Sequence, residues 1–159
     1  MDDFRTTRPY LRDQRAFSIL EVMIALAVVA MLATIAIPSY RSYVLRVKVS
    51  AAVADISMIA QGIQRYDLQH AALPPDLAAI GYADMTDPWG HPYYYLPFDD
   101  LHGHGSQRKD KNLVPINTQY DLYSAGADGK TKTPLTARDS RDDIIRANDG
   151  HFIGLASDY

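Results

Sequence analysis

The chain contains no cysteine among its 159 residues. No disulfide can close its loops and no thiol can serve as a nucleophile, so something else must pin any long loop. Positive charge is scarce too: 16 Lys and Arg stand against 19 Asp and Glu, a formal net charge of −3. Without a basic excess or a dense Lys/Arg stripe, the electrostatic footprint of a nucleic-acid binder is missing. Other chemistry-bearing patterns also fail. No nucleophile-elbow sequence is present. Gly129-Lys130-Thr131 ends like a phosphate-binding loop, but Ser124 stands where that loop requires an earlier Gly, and no strand-loop-helix context surrounds it. His102 and His104 offer two imidazoles in a polar stretch, which reads as solvated and not as a zinc or copper site. Catalysis has no visible constellation, and neither an internal repeat nor a low-complexity tract occurs.

What the chain does have is one membrane-length apolar run. Phe17 to Ile37 holds Glu21 as its only charge. At ~1.5 Å per residue such a helix spans about 31 Å, the thickness of a bilayer core. An unpaired acid in hydrocarbon costs roughly 2.5 to 3.5 kcal/mol on insertion scales, so Glu21 marks a site that has a partner. The plain alternative is a signal anchor whose Glu rests at the interface. Arg5, Arg8, Arg12 and Arg15 precede the run, which keeps that end in the cytoplasm and sends the remainder across.

Beyond the run, apolar residues recur at Tyr40, Val44, Val47, Ala51, Ala52, Ile56, Ile59, Ile63 and Tyr66, mostly three or four apart, one face of a helix. The helix is therefore expected to continue to about residue 72, with Pro38 bending it where a backbone hydrogen bond is lost. Leu73-Pro74-Pro75 must stop it. Asp76 to Ile80 reads as a short second helix ended by Gly81. Asp87-Pro88-Trp89-Gly90 reads as a turn. Strands are expected at Pro92–Leu96 and Gln119–Tyr123, and a hairpin pairs residues 143–147 with 151–155 across Asn148-Asp149-Gly150. Asp99 to Asn117 reads as a mobile surface loop. Trp89 and Tyr93-Tyr94-Tyr95 read as core packing before sugar or peptide stacking. About 120 residues outside the membrane run make one modest domain.

The stretch Ala16-Phe17-Ser18-Ile19-Leu20-Glu21 resembles the N-terminus of type IV pilin-like proteins. In that family a charged leader is cut before Phe, a Glu stands fifth in the mature chain, and a Pro stands at position twenty-two, here Pro38. The resemblance implies cleavage between Ala16 and Phe17 by a prepilin peptidase, methylation of the new amino terminus, and pairing of Glu21 with a neighbouring subunit's terminus. Ala16 stands where the family usually has Gly. The pair Asp87-Pro88-Trp89-Gly90-His91-Pro92-Tyr93 and Tyr120-Asp121-Leu122-Tyr123-Ser124-Ala125-Gly126-Ala127-Asp128-Gly129, followed by Asp142-Asp143-Ile144, is similar to the major pseudopilin of type II secretion systems.

The fold so implied is an α+β lollipop: residues 1–16 a cleaved leader, 17–38 a transmembrane and assembly helix, 39–72 a periplasmic amphipathic helix, and 73–159 a small antiparallel sheet head. The implied function is structural, not enzymatic. The chain would be a single-pass inner-membrane subunit that joins copies of itself and minor pseudopilins in a periplasmic fibre, in contact with an inner-membrane secretion platform. A type IV pilus subunit, major or minor, is the nearest alternative, and a membrane-tethered binding module the next. Pilins commonly close their C-terminal region with a disulfide, so the missing Cys favours the pseudopilin. The resemblance also implies one Ca2+ ion, held by the Ala125 carbonyl and by Asp128, Asp142 and Asp143, with Asp139 able to replace one of the paired aspartates. Calcium takes six to eight oxygens in a flexible shell, so such a loop supplies suitable donors, and the ion would replace the missing disulfide as a staple. The bland reading of the same aspartates is a solvated turn-rich loop.

Overall fold

The computed structural model describes residues 17–99, 101, 103 and 105–159. The expected leader with Ala16, and His102 and His104, lie outside the described residues. Helix α1 runs without interruption from Ile19 to His70, 52 residues, with Pro38 inside it. Two compact units divide the chain within this helix, the first ending at Arg41 and the second running from Ser42 to Tyr159.

In the first unit Ser18 opens the helix. Its hydroxyl oxygen accepts the Leu20 N–H at 3.3 Å and its carbonyl accepts the Val22 N–H at 3.2 Å, as an N-cap residue does. The apolar side chains from Phe17 to Ile37 are exposed, Phe17 and Ile19 by about four-fifths of their surface. The helix is long and apolar enough to cross a membrane. Pro38 has no N–H to give to the Thr34 carbonyl, yet the helix continues through it.

In the second unit α1 ends where Ala71 turns left-handed, φ 52°, directly before Leu73-Pro74-Pro75. Its last turn is closed by the His70 ring, which stacks on Tyr66 and meets the Tyr66 carbonyl at 3.0 Å. The expected short second helix is a single 3-10 turn, Ala78–Ile80, capped by Asp76 Oδ1 on the Ala79 N–H and ended by Gly81 at φ 81°. Four strands follow: β1 Tyr93–Pro97, β2 Tyr120–Ser124, β3 Ile144–Ala147 and β4 Phe152–Leu155. They form one antiparallel sheet in the order β1-β2-β3-β4. All four begin one residue later than expected. Before β1, Pro92 makes only an isolated bridge to Thr86, as a residue without an N–H does at a strand's edge.

Strand periodicity divides the core into two clusters. On one face Tyr93, Tyr120, Leu122 and Ile144 pack on Ala52, Ile56, Ile59 and Ile63 of α1. On the other, Ile145 and Ala147 pack with Ile116, Leu135 and Ala156, flanked by Tyr123 and Phe152. Of the apolar stripe read along the helix, only these four α1 residues are buried; Val47 stays half exposed. Gly62 lies between them because a Cβ there would meet the Tyr82 ring at 2.8 Å.

One expectation is overturned. The segment 99–117 is not a mobile surface loop throughout. From Gln107 onward it is packed, with Gln107, Arg108, Ile116 and Asn117 all buried. Lys109 pairs with the distant loop, donating to the Thr133 carbonyl at 3.1 Å and accepting from the Leu135 N–H at 2.9 Å. These cross-loop bonds pin a stretch whose polar composition had suggested solvent.

Candidate functional site

The first candidate site is the opening turn of α1. Glu21 sits there, three residues after the cap Ser18, where a negative charge complements the helix dipole. It is the sole glutamate in the chain. The carboxylate is exposed, and among the described residues no hydrogen bond or ion pair holds it. The turn therefore presents one free acid among exposed Phe17, Ile19, Leu20, Val22 and Ile24.

The second is the chain between β2 and β3, which holds the aspartates read as calcium ligands. Gly126, left-handed at φ 65°, turns the backbone away from β2. Its carbonyl meets His91 Nδ1 at 3.0 Å, which ties it to the Asp87 turn. There Asp87 Oδ1 accepts the N–H groups of Trp89 and His91, and Asp87 Oδ2 takes the Ser124 hydroxyl. Asp142 Oδ2 accepts the Asp128 N–H at 3.0 Å, and Asp128 Oδ1 accepts the Lys130 N–H at 2.8 Å. Asp139 pairs with Lys132 Nζ at 3.1 Å. Asp143 is wholly buried. Its Oδ2 receives the Arg108 Nη2 and, at 2.6 Å, the Thr131 hydroxyl. Burial pushes the Asp143 carboxyl above its ordinary range, while the Arg108 guanidinium and the Thr131 hydroxyl pull it back.

This donor set does not suit calcium. Among the described residues no group of three acidic or metal-ligating side chains is placed to share one ion. Asp128 and Asp142 spend their described bonds on backbone N–H groups, and the accepting oxygen of Asp143 is already taken by a cation. Among the described residues two buried side-chain atoms have no hydrogen-bond partner, the acceptor Asp143 Oδ1 and the donor Arg108 Nε. Ala125 is buried, and two of the three side chains expected to join its carbonyl accept backbone N–H groups. A liganded shell would need those aspartates to leave their present partners.

The prokaryotic N-terminal methylation motif matches residues 11–37. The type II secretion system core protein G of Pseudomonas aeruginosa is 29% identical over 140 residues, covering 75% of this chain and 87% of that one. The type IV major pilin protein PilE of Neisseria gonorrhoeae is 27% identical over 150 residues, covering 86% of this chain and 87% of that one. The chain is similar to type IV pilin-like proteins. A fimbrial protein of Neisseria meningitidis serogroup A aligns over a shorter stretch, 34% identical over 74 residues and 46% of this chain. No solved structure matches it.

The matched motif spans Phe17 and Glu21 and ends one residue before Pro38, so within α1 it lies on the exposed half. Its head holds a buried polar network that residue patterns did not reveal. Asp121 accepts the Arg108 N–H at 2.6 Å and an Asn117 Nδ2 hydrogen at 2.9 Å. Burial raises its carboxyl, and these bonds with the nearby Arg108 and Arg146 lower it. Asn117 also donates to the Arg146 carbonyl and accepts the Asp149 N–H, and the Arg146 guanidinium lies over the Tyr120 ring at 4.1 Å. The aromatic residues are packing groups: Tyr93 donates to Asp55 at 2.7 Å, Tyr95 to the Pro74 carbonyl at 3.0 Å, and Tyr94 stacks on Tyr123.

Proposed function

We propose that the pilin-like chain is the structural subunit of a periplasmic pseudopilus that drives type II protein secretion. The observation that carries this is the opening turn of α1, one carboxylate without a partner among the described residues, in a long exposed apolar face. A prepilin peptidase cuts between Ala16 and Phe17 and methylates the new amine, which keeps its positive charge at neutral pH. Held in the inner membrane with its head in the periplasm, the helix gains little from apolar contact alone, since lipid tails are as apolar as Leu. Pairing of Glu21 with the Phe17 amine of the next subunit supplies what lipid cannot, because the attraction grows as water is excluded. Pro38 leaves one helix carbonyl free where the membrane half ends. Alignment along 87% of a secretion core protein supports a pseudopilus.

A type IV pilus subunit is the second reading, favoured by the alignment to PilE along 86% of this chain. Deleting the gene separates them. Loss of exoprotein release into the medium, restored by the wild-type chain, is the expected result. Normal release with loss of surface pili would replace the first reading by the second. Normal release and normal pili would leave a membrane-tethered binding module.

A further inference from the structure

The segment before β2 delivers a fixed positive charge to the loop between β2 and β3. The Arg108 guanidinium is 3% exposed and the Asp143 carboxylate is fully buried. Nη2 donates to Asp143 Oδ2, and Nη1 donates to the Thr131 hydroxyl oxygen and to the Lys132 carbonyl, the last at 3.2 Å. The guanidinium carbon lies 4.2 Å from the centroid of the Tyr123 ring. A carboxylate, a hydroxyl and a backbone carbonyl are the oxygen types that a calcium shell recruits. Here they converge on a planar cation delivered by the chain.

We propose that Arg108 serves this head as its built-in cation, in the place where the sequence reading expected Ca2+, so that the loop is latched without a metal. Three observations bear on it. The only wholly buried aspartate of the expected set, Asp143, is the one that Arg108 holds. Among the described residues, the buried side-chain atoms left without partners, Arg108 Nε and Asp143 Oδ1, belong to these same two residues, which a single bond joins, Nη2 to Oδ2. And Arg108 is itself anchored: its N–H binds Asp121 on β2, and its carbonyl accepts the Ile116 N–H at 3.1 Å. The latch thus joins the segment before β2 to the loop after it. A divalent ion close enough to share Asp143 would meet the repulsion of an adjacent guanidinium that burial does not screen.

The proposal does not depend on which filament the subunit builds. Its test uses the full chain in detergent micelles, unfolded by heat and followed by near-ultraviolet circular dichroism. The wild type is expected to melt at the same temperature, within about 1 °C, in millimolar chelator and in millimolar calcium, and calorimetric titration with calcium chloride to show only heat of dilution. Arg108→Ala is expected to melt lower by more than about 10 °C, because it strands a buried carboxylate. Arg108→Lys is expected to fall between them, keeping the charge but losing the separate Nη1 bonds to Thr131 and Lys132 and the flat stack on Tyr123. A wild type that melts clearly higher in calcium than in chelator overturns the proposal, and that measurement needs no variant to fold. An Arg108→Ala variant as stable as the wild type also overturns it.

Discussion

A Cβ on Gly126 would lie 2.1 Å from the backbone carbonyl oxygen of Asp142 and 2.6 Å from the carbonyl carbon. The turn that leaves β2 and the segment that enters β3 therefore approach as closely as a missing side chain permits. The neighbour is backbone, so no rotamer change can make room, and φ at Gly126 is 65°, a region where L-residues are strained. Gly126→Ala is expected to destabilise the head by roughly 2 to 4 kcal/mol, the left-handed penalty and overpacking together. Thermal melts of the full chain in detergent check this. A melting temperature equal to that of the wild type would mean that the two segments are free to part.

Alkaline pH tests the aromatic packing. Burial is the leading cause that raises the phenol groups of Tyr93, Tyr95, Tyr120 and Tyr123 above their ordinary value, helped at Tyr93 by its bond to Asp55 and opposed at Tyr120 and Tyr123 by Arg146 and Arg108. A group whose folded value is raised keeps a proton that the unfolded chain gives up. These four contribute stability fully below about pH 10, the ordinary tyrosine value, and lose it as pH rises through their folded values. Absorbance titration near the phenolate band is expected to show four of the 11 tyrosines lagging until tertiary structure is lost. If all ionise in one reversible step near pH 10 while the near-ultraviolet dichroism stays native, the four are not held as described.

Local rules made most of the fold legible. Ala52, Ile56, Ile59 and Ile63 announce their buried face through helical spacing, and the strands are legible to within one residue because breakers flank short Tyr- and Ile-rich runs. Asn148-Asp149-Gly150 reads as a turn for a reason the structure repeats: all three adopt positive φ, which these residue types tolerate. Arg108 was not legible. In Gln107-Arg108-Lys109 it looks like one more solvated cation, and its partner Asp143 lies 35 residues further on. A buried ion pair leaves no period in the chain. For the same reason the aspartates of the β2–β3 loop read as one ligand group, although their side chains turn to different partners.

Processing is the next test. The apolar helix must be retained as an anchor, so any cut lies on its N-terminal side. Mass spectrometry of the membrane-extracted protein is expected to give an amino terminus at Phe17 carrying one added methyl group. An intact Met1, or a new terminus beyond Ile37, would rule out the prepilin pathway for this chain. Because Ala16 precedes the cut, Ala16→Gly is expected to be processed at least as fast as the wild type, whereas a bulky Ala16→Leu is expected to accumulate as precursor.

Glu21 has two physical reasons to stand in the first turn of α1, and one substitution separates them. As the third residue after the cap Ser18, a carboxylate favours the positive end of the helix dipole, an effect of about 0.3 to 1 kcal/mol that Gln cannot supply through charge. As the partner of another subunit's terminal amine it would act only between chains, where loss of the acid leaves a buried ammonium unpaired. Glu21→Ala is expected to insert in the membrane and to leave the melting of the second unit unchanged, since none of the head's described bonds involves this residue. Fibre yield is expected to fall by roughly tenfold or more, the factor that a lost interaction of about 1.4 kcal/mol produces at each subunit addition. Glu21→Asp tests distance: it keeps the charge on a shorter arm, so assembly is expected to recover only in part. Sheared fibres counted by electron microscopy, with membrane levels of each variant matched by immunoblot, read the effect. Wild-type fibre counts from Glu21→Ala would assign the carboxylate to the helix end alone and remove it from assembly.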